Sequence, residues 1–130
     1  MLTTLPISIG VDVADLTKGI IDIRGLLRYD GSQVEIEYQT SVDSINYSPT
    51  QTVRFDLSEI QRIEHRKGFF NHRLIFHGTT FDFFQQMPGA DGDRLTVYIE
   101  RKYRSLANQL AWELQTNVED RKLRPKREDF

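Results

Sequence analysis

The stretch from Arg94 to Thr116 constrains the fold more than any other part of the chain, because it predicts a strand that runs directly into a long helix. Leu95, Val97 and Ile99 alternate with polar residues, which is the period of a half-buried strand. Beyond Arg101 the apolar residues recur at helical spacing, at Tyr103, Leu106, Ala107, Leu110 and Leu114. An amphipathic helix is not stable alone in water, so its apolar face must cover a core that the preceding residues build.

The preceding residues carry the alternation and the turn signals of short antiparallel strands. With the strand before the helix, the expected strands are Gly19–Tyr29, a partner strand containing Val34, Ile36 and Tyr38, then Gln51–Leu57, Gln61–Lys67, His72–His77 and a short strand at Phe81–Phe83. No helix separates them, which excludes a parallel α/β sheet. The sequence therefore predicts a mainly β fold of seven antiparallel strands, capped by a C-terminal α-helix.

We expect one domain, at residues 19–116, with a segment on each side. Residues 1–18 are moderately apolar and are interpreted as an N-terminal extension or an extra edge strand. Residues 117–130 contain nine charged residues out of fourteen and lack apolar periodicity, so a disordered tail is expected there.

The dipeptide Asp30-Gly31 predicts a two-residue type I′ hairpin turn between the first two strands. Such a turn places Leu27 opposite Val34 on one side and Arg24 opposite Glu37 on the other. The first side is apolar and the second is charged, which is consistent with a sheet that has one buried face.

The composition excludes several classes of protein. The chain has no cysteine, which excludes disulfides and thiolate metal sites. Its formal charge is −2, so we expect no nucleic-acid partner. No signal sequence and no apolar segment long enough for a membrane span is recognised. We therefore expect a soluble, cytoplasmic protein.

Four parts of the chain resemble the pleckstrin-homology-like superfold, most closely small bacterial PH and GRAM-type domains. They are Leu57–Ile63, Lys67–Phe70, Leu74–Phe76, and the closing strand with its helix. The resemblance covers roughly Gly19 to Gln115. It implies a strongly bent seven-stranded barrel or sandwich with one end plugged by the helix, and a role in binding or assembly without catalysis.

The hairpin between the fourth and fifth predicted strands is a candidate interaction surface. If its loop is Gly68 to Asn71, Arg66 lies opposite Arg73 as a like-charge pair, which an anion or a contact with Glu64 would relieve. With Lys67, Phe69 and Phe70 these arginines would form a site for anionic lipid or phosphate groups. The alternative is that both phenylalanine side chains fold back over the end of the barrel.

Trp112 is the second candidate. At 100° per residue it lies on the polar face of the helix, with Arg101, Ser105, Asn108 and Gln115. A tryptophan there is either covered by another part of the chain, such as Leu2 to Val13, or is an anchor in a protein interface. Both alternatives stay open at this point.

No arrangement of residues indicates catalysis, a cofactor or a metal. His65 and His72 could approach each other across the hairpin, but His77 does not complete a ligand set, and all three are interpreted as surface histidines. A carrier of a small apolar ligand is a further alternative, although the expected core residues are bulky. We therefore expect a non-enzymatic module that binds a protein partner or itself, with a peripheral anionic-membrane binder as the alternative.

Overall fold

The computed structural model describes residues 3–9, 22–41, 45–68, 71–80, 84 and 92–123. Seven strands and one α-helix lie within these residues, and every strand pair is antiparallel. The mainly β fold with a C-terminal helix is therefore confirmed. The elements are β1 (Thr3–Ile9), β2 (Asp22–Tyr29), β3 (Gln33–Ser41), β4 (Gln51–Asp56), β5 (Ile60–Lys67), β6 (Asn71–Gly78), β7 (Arg94–Glu100) and α1 (Arg104–Leu123), with 3-10 turns at Leu57–Glu59 and Arg101–Tyr103.

The strand order is β4-β3-β2-β1-β7-β6-β5, which places β1 in the interior of the sheet. The prediction of an edge strand at this end of the chain was wrong, because Leu5, Ile7 and Ile9 alternate into the core. Pro6 is tolerated since β1 pairs with β7 only at Ser8 and Ile9, which leaves one edge of β1 open at the proline. Residues 10–18 and the predicted strand at Phe81–Phe83 lie outside the described residues.

The sheet is bent so strongly that its two ends pack against each other. Phe55 of β4 and Phe76 of β6 make an edge-to-face contact with ring centroids 5.9 Å apart, although four strands lie between them in the sheet. Phe84 contacts the Phe55 ring at 5.5 Å. The backbone N–H of Leu57 donates to the carbonyl of Ser32 (3.2 Å), and the N–H of Thr79 donates to the carbonyl of Glu59 (3.1 Å). These bonds connect the 3-10 turn Leu57–Glu59 to the β2–β3 turn and to the residue that follows β6. The inner face of the sheet thus encloses one core.

Helix α1 covers this core with Ala107, Leu110, Ala111, Leu114 and Val118. Leu106, which we expected in this stripe, is 41% exposed, so the buried face is rotated toward Ala111 and Val118. The helix also continues past Thr116 to Leu123, where the disordered tail was expected. The burial of Val118 and the ion pair between Arg121 and Asp56 (2.7 Å) explain this extension. Residues 124–130 lie outside the described part of the chain.

The β2–β3 turn differs from the predicted one by one residue. Asp30 Oδ1 accepts hydrogen bonds from the backbone N–H groups of Ser32 and Gln33, both at 2.9 Å, and Gly31 takes a φ of +100°. Leu27 therefore pairs with Ile36, and Arg24 with Gln39, so the expected pairs were wrong. A turn displaced by one residue pairs each residue of β2 with a residue of β3 two positions further along than predicted. The same residues therefore face the core as predicted, because side chains alternate with a period of two.

Candidate functional site

Trp112 lies near the middle of α1 on the side that faces away from the sheet, and 66% of its surface is exposed. Its neighbours Ala111 and Leu114 point into the core and hold this part of the helix in place. Strand β1 cannot cover Trp112, because the apolar residues of β1 lie in the core. The predicted alternative in which the N-terminal segment shields the indole therefore fails for residues 3–9.

A shallow open hollow of about 470 Å³ lies beside Trp112, bordered by Gln115, Thr116, Glu119 and Asp120. The side-chain amide of Gln115 donates to the carbonyl of Ile63 at 3.2 Å, which ties this face of α1 to β5. The indole is thus displayed from a rigid platform, as is usual for an aromatic anchor at an interface.

The outer face of the β5–β6 hairpin carries the predicted arginine pair. Arg66 lies directly opposite Arg73, as the loop from Gly68 to Asn71 predicted. Glu64 binds Arg66 at 3.2 Å, Arg62 at 3.1 Å and the imidazole of His77 at 2.6 Å. The hydrogen bond from His77, followed by the one from Arg66, lowers the pKa of Glu64. Arg73 makes no ion pair with the described residues.

The inner face of the same hairpin holds a pair of histidines. His65 Nε2 and His72 Nδ1 are 3.0 Å apart, so one ring donates a hydrogen bond and the accepting ring is neutral. Burial lowers the pKa of both rings. The pKa of His65 falls further because of His72 and Lys67, and that of His72 because of Lys67, Arg104 and Arg101.

Two predictions about histidines need correction. His72 is only 6% exposed and His77 is also buried, so neither is a surface histidine. The signal was present in the sequence for His72, since it lies two residues before Leu74 on the apolar side of β6. Within the described residues no group of three metal-ligating side chains occurs.

The structure separates the residues that the sequence grouped at this hairpin. Arg66 and Arg73 lie on the outer face, whereas Lys67 lies opposite His72 on the inner face. Phe69 and Phe70 lie outside the described residues. Sequence reasoning missed Arg101 and Arg104, which reach this region because β7 pairs with β6 and ends beside the hairpin loop.

An open groove of about 570 Å³ lies on the outer face where β1 and β7 diverge. Its charged and polar lining includes Arg24, Gln39 and Glu100. The interior of the sheet is occupied by large side chains such as Tyr29 and Phe76. Neither feature favours the alternative of a small apolar ligand.

No model of a known protein family matches the sequence, and no curated protein matches it significantly. The resemblance to PH and GRAM-type domains therefore stays a prediction. Among the described helical residues, none form a helix that is both long and apolar enough to cross a membrane.

Proposed function

We propose that this chain is a non-enzymatic PH-like interaction module that self-associates through the outward face of α1, with Trp112 as the anchor. The observation that carries the proposal is the 66% exposure of a tryptophan on a helix whose opposite face is fixed in the core. Large aromatic side chains contribute most of the binding energy in many protein interfaces. An exposed aromatic side chain leaves its apolar surface in water, and an interface that buries this surface is stabilised.

The residues around Trp112 support a second copy of the chain as the partner. By helical spacing the uncharged residues Ser105, Asn108 and Thr116 lie on the same face of α1 as Trp112, and the charged residues Glu119 and Asp120 border only one side of the hollow beside the indole. Trp112 lies near the middle of α1, which runs from Arg104 to Leu123. In an antiparallel twofold pairing of two such helices, residues near the middle face each other, so the two Trp112 rings meet.

The test uses the fluorescence of Trp112, the single tryptophan of the chain. With increasing protein concentration we expect the emission to shift to shorter wavelength while light scattering reports a rising mass. Trp112→Ala should give a folded monomer. Leu106→Ala is the matched control, because it truncates an exposed apolar side chain on a different face of α1. A monomeric wild-type chain with constant emission at all concentrations contradicts the proposal.

A second candidate function is binding to an anionic lipid surface through the outer face of the β5–β6 hairpin. The observation that favours it is the position of Arg66 directly opposite Arg73. Among the described residues Glu64 binds Arg66, and no carboxylate binds Arg73. We expect flotation with phosphatidylserine vesicles that weakens as salt increases, and less flotation for Arg73→Gln. Arg54→Gln, at an exposed arginine of β4, is the control. Absence of flotation at low salt contradicts this candidate.

A further inference from the structure

Strand β5 is one of the two outermost strands of the sheet, because the described strands follow the order β4-β3-β2-β1-β7-β6-β5. Its ladder with β6 is regular from Arg62 to Lys67. The carbonyl of Ile63 accepts a hydrogen bond at 3.2 Å from the side-chain amide of Gln115, which lies outside the sheet. The backbone groups of Ile63 therefore point away from β6, toward the outer edge of β5.

The direction of the Ile63 carbonyl determines which other backbone groups lie on this edge. Backbone groups of successive residues in a strand point to opposite sides, so those of His65 and Lys67 also face the edge, whereas those of Glu64 and Arg66 face β6. Within the described residues, no hydrogen bond engages the outward backbone groups of His65 or Lys67. An edge of this kind is a template for a further strand.

Helix α1 runs beside β5 in the opposite direction. Arg121 binds the carboxylate just before the 3-10 turn that precedes β5, and Gln115 binds Ile63 within β5. Two residues of a strand span about 6.6 Å, which is the length of about four residues of a helix. The edge at His65 is therefore level with the part of α1 that carries the exposed Trp112.

The charges of β5 favour pairing with a second copy of the same strand. A twofold axis makes two identical strands antiparallel and places one residue opposite its own copy. With His65 on the axis, Glu64 of each chain lies opposite Arg66 of the other, whereas like charges meet when Glu64 or Arg66 is on the axis. The same register joins the outward backbone groups of His65 to their own copies and those of Ile63 to those of Lys67.

Two further observations support the register centred on His65. A pairing centred on Ile63 would extend into the bulge at Ile60–Arg62, where the alternation of backbone groups is interrupted. A pairing centred on His65 brings the two Trp112 side chains to the same junction, because these two residues lie at the same level of the molecule.

We propose that β5 pairs with β5 of a second copy of this chain around a twofold axis at His65, so that the two sheets join and the two Trp112 side chains cover the junction. This inference rests on the self-association proposed above and names the surface that accompanies Trp112 in it. Backbone hydrogen bonds set the orientation of the copies, and burial of the indoles stabilises the pair. Glu64 keeps the contact with its own Arg66, so each carboxylate lies between two guanidinium groups.

Amide hydrogen exchange followed by NMR tests the edge directly. In dilute protein we expect the amides of His65 and Lys67 to exchange fast and those of Glu64 and Arg66 slowly, because only the second pair bonds to β6. In concentrated protein the first pair should slow by at least about tenfold. Slow exchange of the first pair already in the monomer overturns the inference.

Lys67→Pro removes one outward N–H and leaves the β5–β6 ladder intact, because proline is tolerated where the N–H faces away from the sheet. Two backbone hydrogen bonds are lost per pair of chains, so association should weaken by at least about tenfold in light scattering. Lys67→Gln is the matched control, since it keeps the N–H, and should change association less than about twofold. Equal association of the two variants overturns the inference.

Charge reversal tests the register. Arg66→Glu and Glu64→Lys should each associate less with themselves than the wild type does, because like charges then face each other. A mixture of the two variants should associate better than either alone, since opposite charges meet again. Circular dichroism checks that each variant is folded, because Glu64 also binds His77. A mixture that associates no better than its components contradicts the register.

Failure of β5 pairing is distinguishable from failure of the proposed function. A chain that is monomeric at all concentrations contradicts both. A chain that associates and that Trp112→Ala dissociates, but whose His65 and Lys67 amides exchange fast at every concentration, contradicts the β5 pairing alone.

Discussion

The two hairpins β2–β3 and β5–β6 are built from similar residues but treat their charges differently. In the first hairpin Arg28 contacts both Glu35 and Glu37, and Glu35 also binds Arg54 of β4 at 2.8 Å. In the second hairpin Arg66 faces Arg73 across the ladder. The first hairpin has two arginines and the second has three, and the difference lies in whether a carboxylate stands opposite an arginine across the ladder.

This difference in charge pairing indicates that the two hairpins have different roles. Opposite charges across a ladder support one register, and the first hairpin adds the Asp30 side chain that closes its turn. Like charges across a ladder disfavour the pairing slightly but keep cations available for a ligand. We therefore interpret the β2–β3 hairpin as a structural element and the end of the β5–β6 hairpin as a binding element.

The largest expected effect breaks the structural hairpin. A Cβ atom on Gly25 would lie 1.9 Å from the carbonyl oxygen of Glu37, so β2 and β3 must separate to accommodate any side chain. We expect Gly25→Ala to lower the free energy of unfolding by about 3 kcal/mol or more, measured by urea unfolding. Gly31→Ala is the control, since its Cβ meets open space and only the φ of +100° is unfavourable. Its expected cost is about 1 kcal/mol. Equal losses for the two variants would contradict this account of Gly25.

The features that the sequence predicted correctly are those that follow from local periodicity. The strand and helix at Arg94–Thr116, the Arg66–Arg73 register and the outward position of Trp112 all required only residue spacing and loop length. The β2–β3 register was wrong because the side chain of Asp30 closes the turn one residue later than its dipeptide suggested. That information lies in a hydrogen bond and not in the residue pattern.

The remaining errors arose where tertiary contacts override composition. Val118 is a single apolar residue among charges, and only its burial against the sheet extends α1 past Thr116. An extra edge strand was one interpretation of residues 1–18, yet β1 lies in the interior of the sheet, where the open seam between β1 and β7 accepts Pro6.

The second prediction concerns the pH dependence of the binding hairpin. The pKa values of His65 and His72 lie below 6.5 in the folded protein, so the unfolded chain binds protons more readily. Their contribution to stability is complete above pH 6.5 and is lost as the pH falls through the folded-state pKa values. We expect a slope below about 1.4 kcal/mol per pH unit for each histidine.

Urea unfolding of wild type and His72→Gln between pH 7 and pH 5 checks this slope, and the variant should lose part of it. The β2–β3 hairpin has no histidine, so Arg28→Gln is the control and should leave the slope between these pH values unchanged. A wild-type stability that is constant across this interval would show that the histidine pair does not distinguish the two hairpins in this way.

The smallest expected effect compares two exposed arginines, one from each type of hairpin. Arg54→Gln removes a favourable pair with Glu35, which keeps Arg28 as a partner, so the loss should be within about 0.5 kcal/mol. Arg66→Gln removes a contact with Glu64 but also the repulsion from Arg73, so its effect on stability should be nearer zero or slightly favourable. Thermal unfolding at low and high salt measures both. Added salt should narrow the difference between the variants, because both effects are electrostatic and lie at the surface. If Arg66→Gln is instead the more destabilising of the two at low salt, Glu64 compensates the charge of Arg66 as fully as Glu35 and Glu37 compensate the arginine of the first hairpin. The distinction between a structural and a binding hairpin then fails.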